Sequence, residues 1–296
     1  MTLEAPRTLA DLRPLLRRHQ HGRFDPTISL TSTEFWRAAR TPNGPGTLHI
    51  SWADSNLSTM AYGAGASWLM NSVPALVGAT DEPTNISPHH PAVAKSLHRH
   101  GVPTMSASGL VLSDLIRSIL GQRVTSLEAV RQWSALCEHT LEPAPGPVEL
   151  LLPPNPLVLA TTPNWQYHRM GIERRRADTI AAVCRYAARV NEVADMSIAD
   201  GYQRLLALPG VGLWTAACTM STAMGDPDAV PVGDFHVKNV VSFALAGEPR
   251  GTDERMLELL APYAGHRGRV LELLTADGWQ APKYGPKQAI RSIARW

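Results

Sequence analysis

The chain has 296 residues, 44% hydrophobic and 18% charged, with a formal net charge of +2. That composition fits a globular protein of about two domains and excludes a basic tail protein, so any surface for nucleic acid has to be local. Cys137, Cys184 and Cys218 are scattered and odd in number, which argues against a disulfide framework and for a reducing cytoplasm. The opening stretch MTLEAPRTLADL shows no basic-then-apolar secretory pattern. The uncharged run from Ser55 to Thr80 is interrupted by glycines, Asn71 and Pro74, so it reads as a buried strand plus a short helix and not as a membrane span.

Residues 1 to about 90 read as a small mixed α+β domain with an antiparallel sheet. Thr27–Leu30 and Gly46–Trp52 are β-rich, the latter alternating as a half-buried strand does, and Pro42-Asn43-Gly44-Pro45 between them is turn chemistry. Ser87-Pro88-His89-His90-Pro91 reads as a solvated linker; its two histidines lack further ligands nearby, and no metal is expected.

From His90 the pattern is helical. Leu112, Leu115, Ile116, Ile119 and Leu120 make one apolar stripe that Gly121 is expected to stop. Thr125 with Glu128 forms a capping box for the next helix, so Gly121-Gln122-Arg123-Val124 is a turn between two well-marked helices. Six prolines from Pro143 to Pro156 mark an exposed connection. Arg174, Arg175, Arg176, Arg185 and Arg189 read as the solvated face of a helix.

Ser197 with Asp200 opens another helix, with Ile198, Tyr202, Leu205 and Leu206 on one apolar face. Pro209-Gly210-Val211-Gly212 breaks it, and a second helix runs from near Leu213 to Gly225. Such a turn is often a plain helix–helix connection. Its glycines also let the backbone approach another chain, and the next helix offers free N–H groups at its positive end, which suits a phosphodiester. Asp234 follows 24 positions after Gly210, just past the apolar run Ala229-Val230-Pro231-Val232. It reads as the cap of a helix whose apolar face is Val237, Val240, Val241, Ala244 and Leu245, ended by Gly247. The last 19 residues, from Gly278, carry Lys283, Lys287, Arg291 and Arg295 and no acid; they read as a tail docked through Trp279, Ile290, Ile293 and Trp296, with some attraction for phosphate.

LPGVGLWTA (Leu208–Ala216) followed by VPVGDFHVK (Val230–Lys238) resembles the helix-hairpin-helix DNA glycosylase superfamily. Trp214 in its place and the Gly-Asp-Phe spelling most resemble the 3-methyladenine DNA glycosylase II branch. LIRSILGQRVTSLEA, ending at Ala129, resembles the family's ILGQ-type turn, whose side chains enter the gap left by a flipped base. The resemblance spans about Ser108–Gly247. It implies an α+β fold, with a small N-terminal antiparallel β-containing domain (1–90) and a mostly α-helical helix-hairpin-helix glycosylase domain (91–296), and it makes the Gly171-Ile172…Arg176-Ala177 element packing between helices.

The implied activity is monofunctional excision of 3- or 7-methylpurine-type bases from duplex DNA, by base flipping, in base excision repair. Asp234 would be catalytic, stabilising an oxocarbenium-like sugar and orienting or deprotonating water. Trp214 and Phe235 would bind the substrate base, an indole face favouring a cationic base by about 0.5–2 kcal/mol. Gln122, Arg123, Gly210, Gly212, Thr215, His236 and Lys238 would contact DNA, with Arg123 at the wedge position, where relatives often have an apolar residue. Bifunctional relatives carry a lysine at the position of Trp214, so no Schiff base is expected here. His266-Arg267 falls where relatives often have Trp-Arg, which removes one pocket aromatic. Three cysteines cannot supply the four thiolates of the iron–sulfur cluster that some relatives hold. No cofactor is expected, apart from room for a monovalent cation at the hairpin. The expected partner is double-stranded DNA carrying damaged bases, and the protein is expected to be a cytoplasmic monomer. The competing function is a non-catalytic helix-hairpin-helix DNA-binding or lesion-sensing protein, which has no use for Asp234 in this phrase.

Overall fold

Four strands, β1 (Ile28–Leu30), β2 (Glu34–Thr41), β3 (Gly44–Ala53) and β4 (Asn56–Tyr62), pair in chain order as one antiparallel sheet. The computed structural model that shows them describes residues 12–53, 56–82 and 85–282. The chain turns between β2 and β3 at Pro42-Asn43, placing Thr41 opposite Gly44 and Phe35 opposite Ile50. Ile28, Phe35, Leu48 and Ile50 share a core with Leu12 and Leu16 of α1 (Leu12–Arg17) and with Leu69, Val73 and Leu76 of α2 (Ala66–Leu76). This is a sheet with one face covered by helix, as alternation in β3 requires.

The rest is helical: α3 (Pro91–His100), α4 (Val111–Leu120), α5 (Ser126–Thr140), α6 (Pro156–Thr161), α7 (Asn164–Arg169), α8 (Arg174–Arg185), α9 (Ala187–Asn191), α10 (Ile198–Leu206), α11 (Leu213–Ala223), α12 (Val237–Ala246), α13 (Asp253–Leu260) and α14 (Arg267–Ala276). One apolar core joins α4, α5, α8 and α11 through Leu115, Trp133, Ile180 and Met220. A second joins α3, α12, α13 and α14 through Val93, Val241, Leu260 and Leu273. No described helix is long and apolar enough to cross a membrane. The basic tail from Lys283 onward lies outside the described residues, while Trp279 packs edge-on against Phe243.

Local expectations hold in part. The apolar stripe of α4 is buried and the helix stops at Gly121 as expected, although Gly121 keeps a helical φ of −73° and the left-handed residue of the turn is Arg123, at φ +57°. A left-handed conformation costs a residue with a side chain roughly 1–2 kcal/mol. Of the arginines expected in solvent, Arg176 is buried: its Nη1 donates to the Leu120 carbonyl and to Gln132 Oε1, both at 2.7 Å, as the packing role of its element implies. Arg174 and Arg175 remain exposed. On α10 only Leu205 of the apolar set is buried, and Ile198 and Leu206 stay more than a third exposed.

A polar network fastens the N-terminal layer to the helices. Arg117 of α4 donates from Nη1 to the His19 carbonyl at 2.7 Å and from Nη2 to Asp25 Oδ2 at 3.3 Å and Thr27 Oγ1 at 3.0 Å. Its guanidinium lies 4.4 Å from the Trp133 ring centre, and Trp133 Nε1 donates to Asp25 Oδ1 at 3.0 Å.

Candidate active site

The hairpin joins α10 to α11. Gly210 has φ +81°, and a Cβ there would collide with the Thr179 hydroxyl of α8. Gly212 is extended, with φ −106° and ψ −178°, and a Cβ there would meet no atom within 4 Å. The two glycines therefore do different work: Gly210 permits a turn and a close internal approach, while Gly212 fronts open space. The first N–H groups of α11 have no intrahelical acceptor and lie at its positive end, next to that space.

Gln122 braces the hairpin from the turn after α4, donating from Nε2 to the Gly210 carbonyl at 3.1 Å and to Thr215 Oγ1 at 2.9 Å. Thr215 is buried and its hydroxyl accepts from the Gln122 amide, while Gln122 itself is only partly buried beside the hairpin. Gly121 explains its own lack of a side chain here: a Cβ would stand 3.0 Å from Trp214 Cη2.

Asp234 is held at both carboxylate oxygens. Oδ1 accepts the N–H groups of His236 at 2.7 Å and Val237 at 3.0 Å, the start of α12, as a capping aspartate does. Oδ2 accepts Trp214 Nε1–H at 2.8 Å. The indole, expected as a pocket wall, thus lies against Gly121 and orients the carboxylate. Phe235 is 71% exposed and packs edge-on against His236, itself exposed; Arg123 is exposed as well.

Asp253 carried no mark in the sequence beyond its place at a helix start after Thr252. It accepts the Gly233 N–H at 3.0 Å and the Lys238 ammonium at 3.3 Å, tying both flanks of Asp234 to α13. Lys238, expected on phosphate, is paired here. One helical turn along α11 from Trp214, the Cys218 thiol is pushed up to about 12, first by burial and then by the neighbouring Asp234 charge, so it stays protonated.

A cavity of about 240 Å³ lies on another face of α11, lined by Leu213, Ala217, Tyr202, Val230 and Val232, and it does not include Asp234. Arg267, at the position where a relative's Trp-Arg would end, is engaged there by Asp228: Nε donates to Oδ1 at 2.8 Å and Nη2 to Oδ2. Burial raises the Asp228 pKa, but the bonds from Arg267 outweigh it and hold the group below the usual carboxylate range. Among the described residues no group of three or more His, Cys, Asp or Glu side chains could hold a metal ion.

No protein-family model and no curated protein matches the chain. Solved structures do. A 3-methyladenine DNA glycosylase from Archaeoglobus fulgidus matches with a TM-score of 0.75, covering 94% of this chain and 98% of its own at 14% identity. The chain has the helix-hairpin-helix DNA glycosylase fold. An 8-oxoguanine glycosylase/lyase from Clostridium acetobutylicum, in complex with double-stranded DNA containing cytosine opposite 8-oxoG, matches this glycosylase fold with a TM-score of 0.56 over 85% of this chain and 98% of its own at 13% identity. A 3-methyladenine DNA glycosylase from Schizosaccharomyces pombe, in complex with abasic DNA, matches with a TM-score of 0.52 over 69% of this chain and 94% of its own at 16% identity.

Proposed function

We propose that the protein is a monofunctional DNA N-glycosylase that releases alkylated purines from duplex DNA in base excision repair. The observation that carries this proposal is a carboxylate fixed at both oxygens, by Trp214 Nε1 and by the N–H groups opening α12, on the loop that follows the hairpin. Backbone phosphate docks at the open N-terminal end of α11, beside Gly212. The damaged nucleotide rotates out of the stack, at a cost of a few kcal/mol, and the exposed Arg123 fills the gap, its guanidinium plane stacking on neighbouring bases. Phe235 offers a free aromatic face to DNA.

The bond between C1′ and the base nitrogen then breaks, its electron pair leaving with the base. An alkylated purine is cationic before it leaves, so it needs little acid assistance. Asp234 stabilises the positive charge left on the sugar and orients water, whose oxygen bonds to C1′ while its proton passes to the carboxylate or solvent. No amine stands at position 214, and Lys238 is engaged by Asp253. The product is an intact abasic strand.

The test uses methylated duplex DNA. Asp234→Asn is expected to slow single-turnover base release by at least about 100-fold, the scale of a lost transition-state charge contact, while Kd changes by less than about threefold. Borohydride is expected to trap no protein–DNA adduct. Release at the wild-type rate by the variant overturns the assignment of Asp234; a wild-type protein that binds the duplex and releases no base leaves a non-catalytic lesion binder.

A further inference from the structure

Most of α11 is buried: Thr215, Ala216, Ala217, Thr219, Met220 and Ala223 face the interior. Trp214, Cys218 and Ser221, at i, i+4 and i+7, make a partly open stripe on the same helix. Its upper end is at Asp234, through the Trp214 bond, and Cys218 senses the Asp234 charge one turn down. The lower end is closed by a pair from elsewhere in the fold. Arg18 Nη2, just past α1, donates to Ser221 Oγ at 3.3 Å and to Glu272 Oε1 of α14 at 3.0 Å.

We propose that Arg18 and Glu272 form the far wall of the base site and read the Watson–Crick edge of an extruded purine. The proposal rests on the glycosylase activity assigned to Asp234. Its first support is length. Seven residues of helix separate Trp214 from Ser221, about 10 Å, which suits a purine lying with its sugar bond at Asp234 and its six-membered ring toward Arg18. A single-ring base falls short of the pair.

The second support is chemistry. Arg18 uses one nitrogen on Ser221 and Glu272; Nη1 and Nε donate to nothing else among the described residues. Glu272 is 43% exposed and has one carboxylate oxygen bonded. A donor therefore stands beside an acceptor, the pattern that complements a purine edge, where an exocyclic group at C6 adjoins N1. A lone guanidinium would repel a cationic alkylpurine, but the Arg18–Glu272 pair has no net charge. A methyl group on N3 or N7 leaves that edge free, whereas a methyl group on N1 blocks it. Arg18 is mostly covered while Glu272 is 43% exposed, so the pair opens to solvent on its carboxylate side.

The experiment measures release of 3-methyladenine and 1-methyladenine from the same methylated DNA by wild-type protein, Arg18→Ala and Glu272→Gln. The two bases carry the same charge and differ only in whether the methyl lies on the edge in question. Each variant is compared with wild type base by base, so differences in bond lability cancel. Both variants are expected to lower release of 3-methyladenine at least tenfold while release of 1-methyladenine changes less than threefold, with Kd for undamaged duplex and Tm nearly unchanged. If wild type leaves 1-methyladenine in place, the discrimination itself supports the pair, and a tenfold loss on 3-methyladenine at unchanged Kd completes the support. Equal losses on both bases, or no loss on 3-methyladenine, overturn the proposal while the glycosylase activity stands. A wild-type protein that releases no base overturns both.

Discussion

A single atom distinguishes the two jobs open to Trp214. As a stacking surface it needs only its rings; as the holder of Asp234 it needs Nε1, 2.8 Å from Oδ2. Trp214→Phe keeps an aromatic ring against Gly121 and deletes the donor. A hydrogen bond to a charged group contributes about 1.5–3 kcal/mol, so single-turnover base release is expected to fall roughly tenfold or more, with duplex Kd unchanged. Stopped-flow or quench kinetics on the variant decide the matter: an unaltered rate means the indole only packs. Asp234 itself was legible, because its phrase after the hairpin is distinctive. The donor to it was not, since a bond spanning 20 positions leaves no local periodicity. The same holds for Asp253, 19 positions past Asp234, and for Lys238, whose pairing removes a cation that spacing alone placed on phosphate.

At the scale of the element, the hairpin separates folding from binding. Gly210 needs its left-handed φ and its closeness to Thr179, so Gly210→Ala meets both strain and collision and is expected to cost at least about 1 kcal/mol of stability. Gly212 needs neither, and threonine serves as well as glycine at a helix N-cap. Gly212→Thr is therefore expected to melt with the wild type yet bind damaged and undamaged duplex alike about tenfold more weakly, because its branch enters the open space at the start of α11. Thermal melting beside Kd measurements checks the contrast; an equal loss of Tm in both variants would show that Gly212 is also internal. The helices around this turn were readable from the Ser197 cap and the Pro-Gly break more than from their faces, since Leu205 alone of the α10 apolar set is buried and most of α11 is buried. β2 was not: Glu34–Thr41 is buried at Phe35, Arg37, Ala38, Ala39 and Thr41, so no alternation marks it. Arg176 misled for the opposite reason, a charge whose partners are a carbonyl and an amide of two other helices.

For the whole molecule, the junction of the sheet layer with the helices is charged and dry, and that gives folding a pH dependence. His19 is fully enclosed, its Nε2 2.6 Å from Ser106 Oγ, and its pKa is lowered well below 6.5 by burial first and then by Arg37, Arg18 and Arg117. His21 is lowered to about 4, again by burial first and then by Arg117, with Asp25 opposing. Below pH 6.5 the unfolded chain binds protons at both positions while the folded chain does not. Stability therefore falls with falling pH, by up to about 1.4 kcal/mol per pH unit for each histidine, and for His21 the loss runs down to about pH 4. Above pH 6.5 neither contributes a slope. His49 and His90 are lowered too, but both are partly exposed and add less. The carboxylates with depressed values, such as Asp277 at about 2, lose their contribution at more acid pH, and Asp226, raised by burial, opposes the histidine slope and adds nothing to it. Tm is expected to be flat from pH 8 to 7 and to drop steadily from 6.5 to 5, and His21→Gln is expected to remove close to half of that slope. If the variant melts with the wild-type slope across that interval, His21 does not carry the dependence.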